Sequence, residues 1–185
     1  MNNKVLIVID MQNDFITGPL GSPEAKAIVP RVAQKMRAYA KTSGRILLTK
    51  DGHDGFYLDT PEGKGIPIPH CRIRSDGWLL HPEIANVTEV CENIIIHKEG
   101  FGFCGWGQLI GRNVDSIEIV GLCTDICVIS NAIVLKTFYP KAEIIVDASC
   151  CAGTTPEGHN AAIRVMETCL IKVINQQTIG SEANA

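Results

Sequence analysis

Cys127 sits in the stretch Gly121-Leu122-Cys123-Thr124-Asp125-Ile126-Cys127-Val128, where a β-rich run gives way to a helical one. A thiol in the first turn of a helix feels unpaired N–H groups and the positive end of the helix dipole, and both favour the thiolate. A nearby ammonium adds to this, and Lys98 is the candidate. Backbone N–H groups of the same turn can hold a developing oxyanion. Asp10 closes an apolar strand and is followed by Met11-Gln12-Asn13-Asp14-Phe15. A shielded carboxylate there can take a proton from a thiol and return it to a leaving nitrogen. Each residue also has a plainer reading: Cys127 as a small core residue, Asp10 as a turn aspartate, Lys98 as a solvated strand end.

A second group lies after the next β-run. Asp51-Gly52-His53 puts two ligand-capable side chains two residues apart, on one side of an extended segment. His70-Cys71 follows Pro67-Ile68-Pro69, with Glu62 between. Two imidazoles and carboxylates with open positions suit a divalent transition ion such as Zn, Fe or Mn. Such residues also occur in loops that bind nothing. His81, His97 and His159 read as surface or capping histidines. Phe101, Phe103 and Trp106 read either as an aromatic wall for a flat substrate or as core packing.

The elements that must position these residues alternate between strand and helix. Strands are expected at Val5–Ile9, Arg45–Thr49, Asn93–His97, Ser116–Val120, Ala142–Val146 and Ile171–Ile174. Ser22-Pro23-Glu24 gives an N-cap, a proline at the first helical position and an acid in the first turn. Apolar spacing carries that helix to Tyr39, and Gly44 stops it. Further helices are expected near Trp106–Gly111, from Thr124 to Phe138 with Thr124 or Asp125 as cap, and from Thr155-Pro156-Glu157 to about Thr168. Residues 51–78 read as a long irregular loop, which in a compact domain is usually functional. The tail beyond Gln176 reads as frayed.

Strands rich in Ile, Val and Leu between helices imply an α/β three-layer sandwich around a mostly parallel six-stranded sheet of Rossmann-like topology. Ligands in such folds bind outside the carboxyl ends of the strands. Asp10, Asp51, Lys98 and Cys127 all fall at that edge.

The chain has 185 residues, matching one domain over 1–185, with 45% hydrophobic and 20% charged residues and a net charge of −3. The absence of a basic stripe argues against nucleic acid as a partner, and no apolar run reaches a membrane span. The first apolar run is short and lacks a cleavage site, so it reads as a strand and the chain as cytoplasmic. Eight cysteines without an export signal read as reduced side chains. The role of the Cys150-Cys151 pair stays open.

Together these residues resemble the isochorismatase-like cysteine hydrolases, nicotinamidase branch, from Val5 to about Ile174. Val8-Ile9-Asp10-Met11-Gln12-Asn13-Asp14-Phe15 resembles the first motif, Lys98 after its β-run resembles the catalytic lysine, and Gly121–Val128 resembles the nucleophile motif. The resemblance implies a triad of Asp10, Lys98 and Cys127, a cis peptide at Leu122–Cys123, and backbone N–H groups of Cys123 and Cys127 as oxyanion donors. It implies a metal on Asp51, His53 and His70, with Glu62 as fourth ligand, and a homo-oligomer. Many nicotinamidases carry a tryptophan shortly before that histidine. Here Ile66-Pro67-Ile68-Pro69 stands instead, so that aromatic wall is either missing or supplied elsewhere, by Phe15, Phe101 or Phe103. The expected reaction is hydrolysis of a small amide through a thioester, with nicotinamide as leading substrate. Two alternatives stand beside it: a metal-free amidase for another amide or ureido compound, and a thiol redox protein using Cys127, Cys150 and Cys151.

Overall fold

The computed structural model describes residues 3–42 and 44–176; the expected frayed tail beyond Gln176 lies outside them. Six strands form one sheet: β1 (Lys4–Ile9), β2 (Arg45–Asp51), β3 (Asn93–Lys98), β4 (Ser116–Leu122), β5 (Glu143–Ala152) and β6 (Lys172–Ile174). Their order is β3-β2-β1-β4-β5-β6 and every pairing is parallel. The α/β architecture and the six strands agree with the sequence reading, and the sheet is wholly rather than mostly parallel.

β1 shows why such a sheet must be covered on both faces. Val5 to Ile9 are all without solvent exposure, each stabilising the fold by roughly 1.5–3 kcal/mol on burial. Odd residues Val5, Ile7 and Ile9 enter one core with Ile117, Ile119, Trp106, Leu135 and Ile163. Even residues Leu6 and Val8 enter a second core with Val32, Met36, Leu48 and Ile84. The second core is closed by α2 (Pro23–Lys41) and α4 (Pro82–Thr88), while α5 (Trp106–Ile110), α6 (Ile129–Phe138) and α7 (Pro156–Thr168) close the first. Short helices α1 (Asn13–Ile16) and α3 (Pro61–Gly65) lie in the loops after β1 and β2.

Several expectations need correction. β2 runs two residues further, to Asp51, and β5 runs to Ala152. Residues 51–78 are not structureless. They hold α3 and two 3-10 turns, Tyr57–Asp59 and Asp76–Trp78; the Thr60 side chain caps α3 by accepting from Gly63 N, and Ser75 caps the second turn by accepting from Trp78 N. α4 was not anticipated; the His81 side chain caps it by accepting from Glu83 N. The helix expected from Thr124 opens as a π-helical turn, Thr124–Val128, before α6. Neither Thr124 nor Asp125 caps it. Thr124 Oγ1 bonds His159 Nδ1 (2.8 Å), and the Asp125 carboxylate accepts from Thr154 N (2.9 Å).

The strand order reverses between β1 and β4. In an open parallel sheet that is where a crevice forms beyond the strand ends. Gly121 sits at this point with φ of 118°, and a Cβ there would lie 2.1 Å from Ile9 O. Only glycine lets β4 run this close to β1 before the chain turns at the cis peptide Leu122–Cys123, where the resemblance places it.

Candidate active site

Asp10 leaves β1 in the left-handed region, φ 47°, a conformation aspartate tolerates better than most residues. The turn carries its fully buried carboxylate into the crevice. Thr49, on β2, donates to Asp10 Oδ1 at 2.7 Å and fixes that oxygen. Oδ2 lies 2.8 Å from Lys98 Nζ yet makes no hydrogen bond of good geometry. One carboxylate oxygen is therefore held and the other is open to a proton.

Lys98 ends β3, and its 4% exposure leaves the ammonium little access to water. Its Nζ lies 3.0 Å from Gly100 O, 3.4 Å from Asp51 Oδ1 and 3.5 Å from Cys127 Sγ. Burial works against that charge, but Asp10, Cys127 and Asp51 outweigh it, and the amine stays an ammonium. The three residues proposed from sequence thus meet in one crevice.

The thiol behaves differently from the sequence expectation. Burial pushes Cys127 well above the ordinary thiol range, and the Asp10 charge adds to this, while Lys98 opposes it. Burial likewise raises Asp10, against the pull of Lys98. Desolvation thus outweighs the helix N-terminus and favours the neutral thiol.

Beyond Asp51 lies the second group. One ligand atom from each of Asp51, His53, Glu62 and His70 falls within 4.8 Å of the others. His53 Nε2 is 2.9 Å from Asp51 Oδ2 and 3.6 Å from Glu62 Oε1, and His70 Nε2 is 3.7 Å from Asp51 Oδ2. The buried His53 Nε2 nonetheless has no hydrogen-bond partner, since the close carboxylate is off the line of a ring N–H. His70 Nδ1 meets Ile68 O at 2.8 Å, which fixes the proton there and turns the Nε2 lone pair toward the cluster. An orphaned imidazole nitrogen, a second one oriented by a carbonyl and two carboxylates fit a divalent transition ion.

A family model described as the isochorismatase domain matches residues 4–178. The chain belongs to the isochorismatase family. It is 25% identical over 188 residues to the nicotinamidase/pyrazinamidase of Mycobacterium tuberculosis, covering 92% of this chain and 98% of that one. The solved pyrazinamidase/nicotinamidase of Streptococcus mutans superposes with a TM-score of 0.81 at 26% identity, covering 93% of this chain and all of that one. The pyrazinamidase of Pyrococcus horikoshii in complex with zinc superposes at 0.74, with 23% identity and 93% and 98% coverage.

Within this isochorismatase-family chain the aromatic residues divide. Phe15 is buried with its ring 5.4 Å from His70, beside the ligand cluster. Phe103 instead is half-buried and packs edge-on, at 5.0 Å, against the fully buried core residue Trp106. Phe101 is exposed. The sequence reading missed Tyr57, whose ring lies 4.3 Å from His53 and 5.0 Å from His70 and whose hydroxyl is tied to Ile66 O. It also gave no role to Gln12, Thr49, Asp14 or Asn131. Asp14 Oδ2 accepts from Cys71 N at 2.7 Å and holds the left-handed turn (φ 45°) just after His70. All eight cysteines are free. Cys150 and Cys151 face opposite cores across β5 and cannot act as one site.

Proposed function

We propose that this protein is a cysteine-dependent amidohydrolase of a small amide, with nicotinamide as substrate and residues 1–185 acting as one catalytic domain. The observation that carries the reading is the buried contact of Lys98 with both Asp10 (2.8 Å) and Cys127 (3.5 Å). The similarity to the Mycobacterium tuberculosis nicotinamidase/pyrazinamidase supports the choice of substrate.

The thiol proton of Cys127 passes to the open oxygen of Asp10 as sulfur attacks the amide carbon. Lys98 holds the Asp10 carboxylate and keeps positive charge beside the sulfur as it loses its proton. Backbone N–H groups of Cys123 and Cys127 receive the oxyanion. Asp10 then gives its proton to the departing nitrogen, ammonia leaves, and a thioester remains. Water attacks the thioester with Asp10 as base; the carbon–sulfur bond breaks, the acid leaves and the thiol regains its proton.

Asp51, His53, His70 and Glu62 are the residues that would hold a divalent metal. Bound there, the ion supplies a Lewis-acid contact for a ring nitrogen of the substrate and orients the amide. Phe15 and Tyr57 flank that position and offer apolar faces to a flat ring. The convergent ligand set favours this reading over a metal-free amidase. A redox protein has no use for Asp10 and Lys98. The same proposal takes the enzyme to be a cytoplasmic homo-oligomer with no nucleic-acid or membrane partner.

The test is ammonia release from nicotinamide by purified protein, with a panel of small amides and ureido compounds alongside. Turnover of nicotinamide that is lost in Cys127→Ala supports the reading. Activity surviving in Cys127→Ala, or turnover confined to other amides, rejects the mechanism or the substrate respectively.

A further inference from the structure

The chain that follows Lys98 folds straight back on it. Gly100 O, two residues on, accepts from the Lys98 ammonium at 3.0 Å. Residues 99–105 form no strand or helix, so nothing in their own backbone pattern keeps Gly100 at that place. Asn131 supplies the hold. It lies on α6, one turn after Cys127, and is fully buried.

Every polar position of its amide on the loop side is used. Asn131 Oδ1 accepts from Phe103 N at 2.9 Å and from Trp106 Nε1 at 3.1 Å. Asn131 Nδ2 donates to Phe101 O at 3.1 Å and to Cys127 O at 2.8 Å. One side chain thus joins the nucleophile's own carbonyl to the loop that presents Gly100 to Lys98. A buried asparagine with all four bonds made is a rigid link, and removing it takes one partner from each of Phe101 O, Phe103 N, Trp106 Nε1 and Cys127 O.

We infer that Asn131 is a positioning residue for this reaction, fixing Lys98 relative to Cys127 by clamping the 100–103 loop to the carbonyl of the nucleophile. The inference rests on the cysteine-hydrolase reading above. It assigns Asn131 no contact with substrate. A purely structural asparagine in this place would matter for folding only. A positioning one matters for the reactivity of Cys127 in folded protein.

The test compares Asn131→Leu, which keeps the shape and removes all four bonds, with Asn131→Asp, which keeps the two accepting bonds and loses the two donating ones. Leu135→Ala, in the core on the same helix, is the control for lost stability. Thr137→Ala, exposed on that helix, is the control for an inert change. Three quantities are read on the full chain: melting temperature, kcat and KM for nicotinamide, and the rate of Cys127 alkylation by iodoacetamide, followed by peptide mass spectrometry. At temperatures where circular dichroism shows folded protein, both Asn131 variants should lose roughly tenfold to a hundredfold in kcat, the scale of loss when reacting groups drift by a fraction of an ångström to an ångström. Alkylation of Cys127 should slow in parallel, with KM within about twofold of the parent, since substrate contacts are untouched. Leu135→Ala should melt earlier but keep both rates.

The inference fails if the folded Asn131 variants keep parental kcat and alkylation rate, or lose no more than Leu135→Ala at matched stability. It also fails if neither variant folds, since the residue is then structural. Alkylation needs no substrate. If the parent does not hydrolyse nicotinamide, the functional reading falls while the Asn131 inference is still decided.

Discussion

The Gln12 side chain hydrogen-bonds both backbone groups of Asp51: its Oε1 accepts from Asp51 N at 2.7 Å and its Nε2 donates to Asp51 O at 2.9 Å. Nε2 also donates to Trp78 O at 2.9 Å. Gln12 is fully buried and acts as a strut between the end of β2 and the segment that returns toward α4. Asp51 faces both halves of the site, with Oδ1 toward Lys98 and Oδ2 toward the histidines.

Gln12→Leu should therefore loosen Asp51 without touching any reacting atom. Leaving two buried backbone groups unpaired costs about 1–3 kcal/mol each at most. Loss of an outer support of this kind weakens metal affinity by roughly 10–100-fold. Competition against a chromophoric zinc chelator measures the affinity, and urea unfolding measures the stability. Unchanged zinc affinity in a folded Gln12→Leu protein would count against the strut.

Substitutions in the triad should separate chemistry from stability. Cys127→Ala and Asp10→Asn should each lower kcat for amide hydrolysis by at least about a thousandfold, because members of such a unit are not individually dispensable. Lys98→Met should do the same. It should also relieve a buried charge while leaving Asp10 without its counter-ion. Cys127→Ala should melt within a few degrees of the parent, since among the described residues the thiol makes one contact of hydrogen-bond length, to Lys98. Steady-state ammonia release and thermal melts check both halves.

The triad was legible because strand ends in a parallel sheet share one edge, so Asp10, Asp51, Lys98 and Cys127 could be placed together from the period of the strands alone. Glu62 was legible as a residue type but not in its setting. Thr60-Pro61-Glu62 repeats the start signal seen at Ser22-Pro23-Glu24 and Thr155-Pro156-Glu157, and Thr60 caps α3 as those residues cap α2 and α7. Read alike, the three would have broken up the supposed loop. Tyr57 and Asn131 had no such signal. Their places depend on how loops 52–60 and 99–105 return to the sheet, which no local periodicity encodes. The direction of the Cys127 shift was not legible for the same kind of reason: helix position shows in a sequence, whereas burial of the whole crevice does not.

Metal removal should have graded effects across the ligand set. His53 and His70 are buried, whereas the Glu62 carboxylate is part-exposed and 3.6 Å from His53. Plasma emission analysis of the purified protein should find a divalent transition ion near one per chain, lost on dialysis against chelator and restored by added zinc or manganese. His53→Ala and His70→Ala should abolish that binding, and Glu62→Gln should weaken it by roughly tenfold. Nicotinamide turnover should fall and recover with the metal. A parent protein that carries no ion and ignores chelator at full activity would leave only the metal-free amidase.

Acid stability should depend on a buried network far from the crevice. Lys35 on α2 pairs with Asp147 Oδ2 at 2.6 Å and with Glu118, and Tyr39 donates to the same Glu118 at 2.7 Å. Burial pushes the Asp147 carboxyl up, but Lys35 and Ser149 outweigh it and hold the group below the usual carboxylate range. Burial pulls Lys35 down, and Asp147 and Glu118 outweigh it and raise it. A carboxyl depressed in the folded state stabilises the protein above its unfolded value, about pH 4, and loses that contribution as pH falls through the folded value. The raised lysine contributes below its own unfolded value and loses this only as pH climbs beyond it. Lys35→Met removes the cation and leaves two carboxylates facing each other, at a cost of about 3 kcal/mol near neutrality. Without Lys35 the Asp147 carboxyl loses the main interaction that holds it low, so acid costs the variant less than the parent. Urea midpoints from pH 7 to pH 3 should show the gap between parent and variant narrowing. A gap that stays constant across that range would mean that Lys35 does not hold the Asp147 charge.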